Sequence, residues 1–184
     1  MRVGLATMAA WLAATPAYAA GWQVDPAHSR LTVEFEQTGK PVAARFESFA
    51  AEIAFDPKDL AKASVVVTVD LGSLRTGDGQ RDQMAVSSEL LAAVSGPTAH
   101  YATRKFAARG HDRYEVEADL TLRGVTRPLI HPATISISGG EAHAQGEVLL
   151  ARTDFGVGSN QFPRGDQIGL AVTVRFDLIA RRQG

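Results

Sequence analysis

Tyr114-Glu115-Val116-Glu117-Ala118-Asp119-Leu120-Thr121-Leu122-Arg123 sets an apolar residue at every second position and a polar one between. The same beat returns from Ile168 to Arg181, where Ile168, Leu170, Val172, Val174, Phe176 and Leu178 share one phase. Successive side chains of a strand point to opposite faces, so both stretches predict sheet with one apolar and one wetter face. The apolar faces of several such strands must meet, in a sandwich or in a closed barrel. A barrel of about eight strands has an interior that can hold one small ligand.

Working outward, Leu31, Val33 and Phe35 alternate with Thr32, Glu34 and Glu36, and Gly39-Lys40-Pro41 turns the chain. Val42, Ala44 and Phe46 follow, and a change of phase near Ser48 brings Phe49, Ala51, Ile53 and Phe55 onto one face. A phase change inside an extended run predicts a bulge or sharp bend, as at a barrel corner. Asp56-Pro57 ends the run, and the valine-rich stretch Ser64 to Asp70 reads as a further strand. Leu71 to Pro97 is the least strand-like part: Gly77-Asp78-Gly79 is a loop, and Arg81 to Val94 has helical composition with Met84, Leu90 and Leu91 as apolar contacts. One helix or two short ones are expected there, placed to cap or plug a barrel end. Ala99 to Ala107 resumes extended structure, and Gly110-His111-Asp112 reads as a tight hairpin turn. Arg127 to Ile137 carries Pro128 and Pro132, which argue for an edge or bulged position. Gly139-Gly140 signals another hairpin before Glu141 to Arg152, and a loop from Asp154 to Asp166 leads into the last strand. The expected fold is all-β: about eight strands, mostly antiparallel, with one helical insertion.

The chain has 184 residues, and its start reads as a signal peptide. Arg2 precedes the apolar or small run Val3 to Ala14, Thr15-Pro16 breaks it, and Ala17-Tyr18-Ala19 has the small-x-small form read by signal peptidase. The alternative, a membrane anchor, needs about 20 apolar residues, more than this run supplies. Cleavage after Ala19 leaves a single domain over residues 20–184, exported to a bacterial periplasm. There is no cysteine, which excludes a disulfide framework, a thiolate metal site and a cysteine nucleophile. Stability in an oxidising compartment then rests on the core alone. With 19 basic and 20 acidic side chains, no nucleic-acid or polybasic membrane surface is expected.

Chemistry is sparse. His28, His100, His111, His131 and His143 are scattered, and no pair has the i, i+4 spacing of a zinc hydrolase. His131 shares parity with Ile135, but Pro132 leaves its direction open. Asp25, His28 and Ser29 have the residue types of a hydrolytic triad at a spacing too short for it, and a turn tying down a barrel end is the simpler reading. No catalytic residue and no metal ligand is assigned, and Gly156-Val157-Gly158 has no P-loop lysine beside it. Bulk without charge dominates the inward phase: Leu31, Val33, Phe35, Phe46, Phe49, Ile53, Val65, Val67, Tyr101, Val116, Leu120, Leu122, Ile135, Val148, Leu150, Leu170, Val172, Val174 and Phe176. These side chains either fill a dry core or line a tunnel, and alternation alone allows both.

Motifs along the chain carry a resemblance. Trp22-x-Val24-Asp25-x-Ala27-His28-Ser29-x-Leu31 opens the series, followed by Arg45-Phe46-x-x-Phe49-x-x-x-Ile53-x-Phe55-Asp56. Val69-Asp70-x-x-Ser73-x-x-Thr76-Gly77, Arg81-Asp82 and Pro97-Thr98-Ala99-x-Tyr101 come next. The later half carries Leu120-Thr121-Leu122-Arg123-Gly124-Val125-Thr126-x-Pro128 and Arg152-Thr153-Asp154-Phe155-Gly156-Val157-Gly158. In order and spacing these resemble the YceI family of secreted, polyisoprenoid-binding bacterial proteins, from Trp22 to about Ala180. The resemblance implies a lipocalin-like eight-stranded antiparallel barrel, a pocket for a polyisoprenoid lipid or isoprenoid quinone, and no settled catalysis. It also implies an alternative, a non-catalytic interaction or stress-response module beside a b-type membrane cytochrome. Leu90-Leu91-Ala92-Ala93 replaces the family's usual aromatic pair, and Ser159-Asn160-Gln161-Phe162 stands where relatives often place tryptophan. Head-group choice is expected to rest on polar residues at the rim, such as Arg81, Asp82 or Arg152.

Overall fold

Alternating strands need partners on both edges, and the chain satisfies this by closing its sheet. The computed structural model describes residues 21–183. The signal peptide expected over residues 1–19 lies outside them. The strands are β1 (Gly21–Val24), β2 (Arg30–Gln37), β3 (Lys40–Phe46), β4 (Phe49–Ala54), β5 (Ser64–Asp70), β6 (Leu74–Arg75), β7 (Thr98–Ala108), β8 (Arg113–Leu122), β9 (Val125–Ser138), β10 (Glu141–Ala151) and β11 (Ile168–Arg182), with one helix, α1 (Gly79–Ala85). The ring β1-β4-β5-β7-β8-β9-β10-β11 closes through a β1–β11 pairing, giving the expected eight-stranded barrel. The first three positions of the ring are broken in two. Both β1 and β2 pair with β11, β3 runs on into β4, and β6 pairs with β3 beyond the end of β5.

The phase change at Ser48 is the corner where β3 becomes β4. Its backbone is satisfied by Ser73, whose carbonyl accepts from Glu47 N–H at 3.1 Å and whose Oγ accepts from Ser48 N–H at 3.0 Å. Two connections are two-residue turns with both φ positive, Thr38-Gly39 and Arg123-Gly124, the geometry that matches strand twist. Pro128 and Pro132 fall in the half of β9 that pairs with β8 alone; β10 pairs only with Ala133–Ser138. Proline lacks the N–H a second ladder would use, so the sheet splits there. Outside that split Ile130 and Leu149 are 71% and 69% exposed.

Helix is less extensive than the composition of Arg81 to Val94 suggests. Only α1 forms, capped by Asp78, whose side chain accepts from Arg81 N–H at 2.9 Å. Met84 is 44% exposed and Ala92 has φ of 53°, so the rest of the insertion folds as turns. Beyond Ser87 the large apolar residues Leu90 and Leu91 pack into two different clusters, so they do not share one helix face.

Full burial gathers in three clusters, with Ala44, Ala118 and His131 buried apart from them. At the end holding the β7–β8 and β9–β10 hairpins, Trp22, Phe55, Phe106, Tyr114, Val116, Ala133, Ala142 and Ala180 form a floor. Trp22 Nε1 donates to Phe55 O at 2.8 Å, and the Phe55 ring stands edge-on to Phe106 and Tyr114. At the opposite end Leu90, Phe155, Val157 and Ile168 form a roof. A third cluster, Val69, Leu71 and Ala99, sits where the insertion leaves β5 and returns to β7.

Candidate functional site

Directly opposed residues in neighbouring strands point to the same face, so the register identifies the lining. Phe35 opposes Val172, which opposes Leu150; Val33 opposes Val174, which opposes Val148; Val67 opposes Tyr101, which opposes Leu120. The bond network and clusters bring Leu31, Phe46, Phe49, Ile53, Val65, Leu122 and Phe176 to the same interior. Of eighteen residues expected to line a pocket, sixteen are half-buried, with only Val116 fully buried and only Leu170 exposed. Leu170 is a correction. Four residues of β11 span the stretch opposite two of β2, a bulge that turns Leu170 outward onto Gly165 at 41% exposure.

A solid barrel buries its middle layer more completely than its ends. Here the middle layer is mixed: Ala44, Ala118 and His131 are buried there, while Val33, Val148 and Val174 are half-buried.

One polar pair sits in this layer. Tyr101 Oη lies 2.7 Å from His131 Nε2, and His131 Nδ1 lies 3.0 Å from Pro132 O. A carbonyl only accepts, so Nδ1 carries the ring proton and Nε2 accepts from the tyrosine hydroxyl. His131 is 5% exposed, and burial holds its pKa below the usual imidazole value; burial also pushes the Tyr101 phenol up. The Phe176 ring stands edge-on to His131 and crosses Gly146, where an added Cβ would lie 2.3 Å from Phe176 Cζ and 2.9 Å from Pro132 O. Because the folded state keeps His131 neutral while the unfolded chain protonates near pH 6.5, stability is full above that pH and falls as acid is added. Urea midpoints measured from pH 7.5 to 5 are expected to fall, and to flatten in His131→Leu. An unchanged slope in the variant would assign the acid sensitivity elsewhere.

The three expected rim residues are structural ties instead. Arg152 is 4% exposed and donates to four carbonyls, Gly169 O at 2.9 Å, Val157 O at 2.6 Å, Ile168 O at 2.8 Å, and Phe162 O. It staples the loop between β10 and β11 shut. Asp82 accepts from Thr76 N–H at 2.7 Å and Thr76 Oγ1 at 2.6 Å, which holds its carboxyl below the ordinary range. Arg81 Nε donates to Gln37 Oε1 at 2.8 Å, binding α1 to the β2–β3 turn. Glu89 accepts from the N–H groups of Asn160 and Gln161 at 3.1 and 3.0 Å. Arg123 reaches Ser88 O at 2.7 Å, so the insertion, the β8–β9 turn and the β10–β11 loop are laced together over the barrel end.

Asp25 and His28 pair at 2.9 Å, which holds the Asp25 carboxyl low. The Ser29 hydroxyl turns away from them, donating to Ile179 O at 3.2 Å and accepting from Ile179 N–H at 3.0 Å. The three tie the β1–β2 elbow to β11. His143 contacts Asp177 at 2.6 Å, and His100 lies within 3.2 Å of the Thr68 and Thr98 hydroxyls. Among the described residues no three His, Asp or Glu side chains converge as metal ligands.

A depression of about 610 Å³ lies on the side of the barrel between β1–β2 and β3–β4, lined by Arg30, Leu31, Arg45, Phe46, Glu47 and Phe49 among others.

The YceI-like domain family matches residues 22–180. The chain belongs to the YceI family. Among YceI-type relatives, a UPF0312 protein of Vibrio cholerae is 31% identical over 182 residues, covering 97% of this chain and 84% of its own. A UPF0312 protein of Pseudomonas aeruginosa is 28% identical over 179 residues, covering 92% and 93%. The crystal structure of Burkholderia cenocepacia BcnA superposes with a TM-score of 0.81 at 26% identity, over 85% of this chain and 98% of that one. A polyisoprenoid binding domain from Saccharophagus degradans, implicated in plant cell wall breakdown, superposes with a TM-score of 0.74 at 17% identity, over 89% and 99%, a likeness of fold. The two YceI-family departures noted in the sequence both lie in the roof. Leu90 is one of its buried residues, and Phe162 packs against it.

Proposed function

We propose that this YceI-family protein is a non-catalytic periplasmic carrier that holds the chain of a polyisoprenoid lipid or isoprenoid quinone inside its barrel. The observation that supports this most is that sixteen of the apolar side chains turned toward the interior are half-buried, between a floor and a roof of buried clusters. The same barrel serves a polyisoprenoid binding domain in Saccharophagus degradans. An isoprene unit carries five carbons, and each buried carbon contributes about 0.8 kcal/mol, so one enclosed unit is worth roughly 3 to 4 kcal/mol before ordering costs. A few units reach useful affinity with little help from a head group. The signal-like start of the chain favours a periplasmic site of action.

Protein purified without detergent is expected to carry a co-purifying lipid in native mass spectrometry and, once emptied, to take up ubiquinone or a polyprenyl lipid in titration. An empty protein that also refuses both lipids would end the carrier reading.

A further inference from the structure

One stretch of the outer wall is apolar where the sheet is unzipped. The β9–β10 ladder ends at Ala133↔Gly146, and continuing its register would set Ile130 beside Leu149 and Pro128 beside Ala151. Pro128 and Pro132 have no N–H to give, so beyond that rung the two strands are unpaired with each other. The far end of the split is tied by Arg127 Nε, which donates to Asp154 O at 3.1 Å. Along the two lips Pro128, Ile130 and Pro132 of β9 and Leu149 and Ala151 of β10 stand exposed, and exposed Ala171 of β11 lies directly opposite Ala151. Single exposed apolar side chains are ordinary on a protein surface, whereas adjoining ones without a charge among them mark a contact face.

The charges that border this face are already compensated. Glu115, Glu117 and Asp119 of β8 lie directly opposite Pro132, Ile130 and Pro128. They pair with Arg109 at 2.6 Å, Lys105 at 3.3 Å and Arg104 at 2.6 Å respectively. On the other flank Arg175 sits between Glu34 and Glu147, 2.8 Å from each. The border therefore offers no spare cation to an anionic partner. At its two prolines the face also denies a docking strand the backbone donors it would use. A surface that binds through apolar area alone fits these conditions, and the acyl boundary of a bilayer is such a surface.

We propose that this face docks on a lipid bilayer, and that zwitterionic lipid suffices to hold it. Ile130 and Leu149 enter the acyl boundary, while the flanking ion pairs stay at the level of the head groups. Docking adds a place of exchange to the carrier reading, since the lips of β9 and β10 part without breaking a ladder hydrogen bond. The docking itself does not require that reading, and its first test needs no ligand.

The chain has no cysteine, so a single introduced cysteine reports one place. Ile130→Cys carrying a polarity-sensitive fluorophore is expected to shift to the blue on phosphatidylcholine vesicles. The same label on Glu52→Cys, exposed on β4 across the barrel, is expected to stay unshifted. Adding Leu149→Glu to the labelled Ile130→Cys protein is expected to abolish the shift, whereas added salt leaves it in place. With a fluorescent prenyl alcohol loaded, transfer to vesicles is expected to quicken in proportion to vesicle concentration. The double variant Ile130→Glu, Leu149→Glu is expected to slow that transfer about tenfold or more at unchanged prenyl affinity. Equal shifts at both labelled positions, or a shift that needs anionic lipid and vanishes in salt, overturns the assignment of this face. A shift that grows with protein concentration in the absence of vesicles overturns it in favour of a second copy of the chain. Transfer indifferent to vesicle concentration overturns exchange at this face. A label that shifts on vesicles in a protein that binds no prenyl compound upholds the docking face and ends the carrier reading.

Discussion

Replacing Arg152 with methionine is expected to produce the largest loss of stability of any single substitution in the roof. The side chain is buried and no carboxylate faces it, and methionine keeps only its stem, so the variant removes the guanidinium and all its hydrogen bonds. Four carbonyls, on Gly169, Val157, Phe162 and Ile168, lose their donor together. A buried acceptor left without a partner costs about 1 to 3 kcal/mol, so the loss should reach roughly 4 kcal/mol or more unless the loop opens to water. Opening is the alternative relief, and it has its own signature: faster amide exchange across residues 152–168 and in the insertion bonded to them. Lysine is no substitute, since one ammonium cannot reach four carbonyls arranged around a planar fork. Burial already pushes the guanidinium pKa down, so hydrogen bonding, not solvation, keeps the charge in place. A variant with an unshifted urea midpoint and unchanged exchange in both segments would remove Arg152 from the account of the roof.

Val174→Trp is expected to have the opposite profile, abolishing binding while leaving the fold intact. Val174 lies midway along β11, between Val148 of β10 and Val33 of β2, and all three are half-buried. An indole placed there occupies space that the proposed ligand would use. Displacing one isoprene unit removes roughly 3 to 4 kcal/mol, a loss of several hundredfold in affinity. If the middle layer is vacant, the indole also gains contacts, and the urea midpoint stays level or rises. If that layer is already filled, overpacking costs about 1 to 3 kcal/mol and the midpoint falls. One variant measured by prenyl-lipid titration and by urea denaturation therefore tests both the ligand and the hollow. A destabilised protein with unaltered lipid affinity is the result that defeats the proposal.

Much of the architecture was legible from local pattern. Period-two alternation named the strands, the phase change at Ser48 marked a real corner, and Pro128 and Pro132 marked the half of β9 that β10 does not pair with. These signals are readable because each follows from a residue's own backbone chemistry and its immediate neighbours. The insertion was less legible. Its composition allowed more helix than the seven residues of α1, because helix length depends on a face to bury, and that face is supplied by other segments. Leu170 kept the inward phase in sequence yet turned outward, since a bulge against β2 is invisible in β11 alone.

The site divides in the same way. The sequence by itself determined that a long apolar face would be turned inward and that no cysteine would bind or bridge it. Tertiary structure alone decided that most of this face is half-buried, because burial depends on how opposing walls are spaced. It also decided that Arg152 and Asp82 bond to backbone groups, and that Arg30 and Arg45 border a surface depression. A charged side chain has the same identity in a sequence whether it faces carbonyls or water; only the neighbours brought by folding settle which.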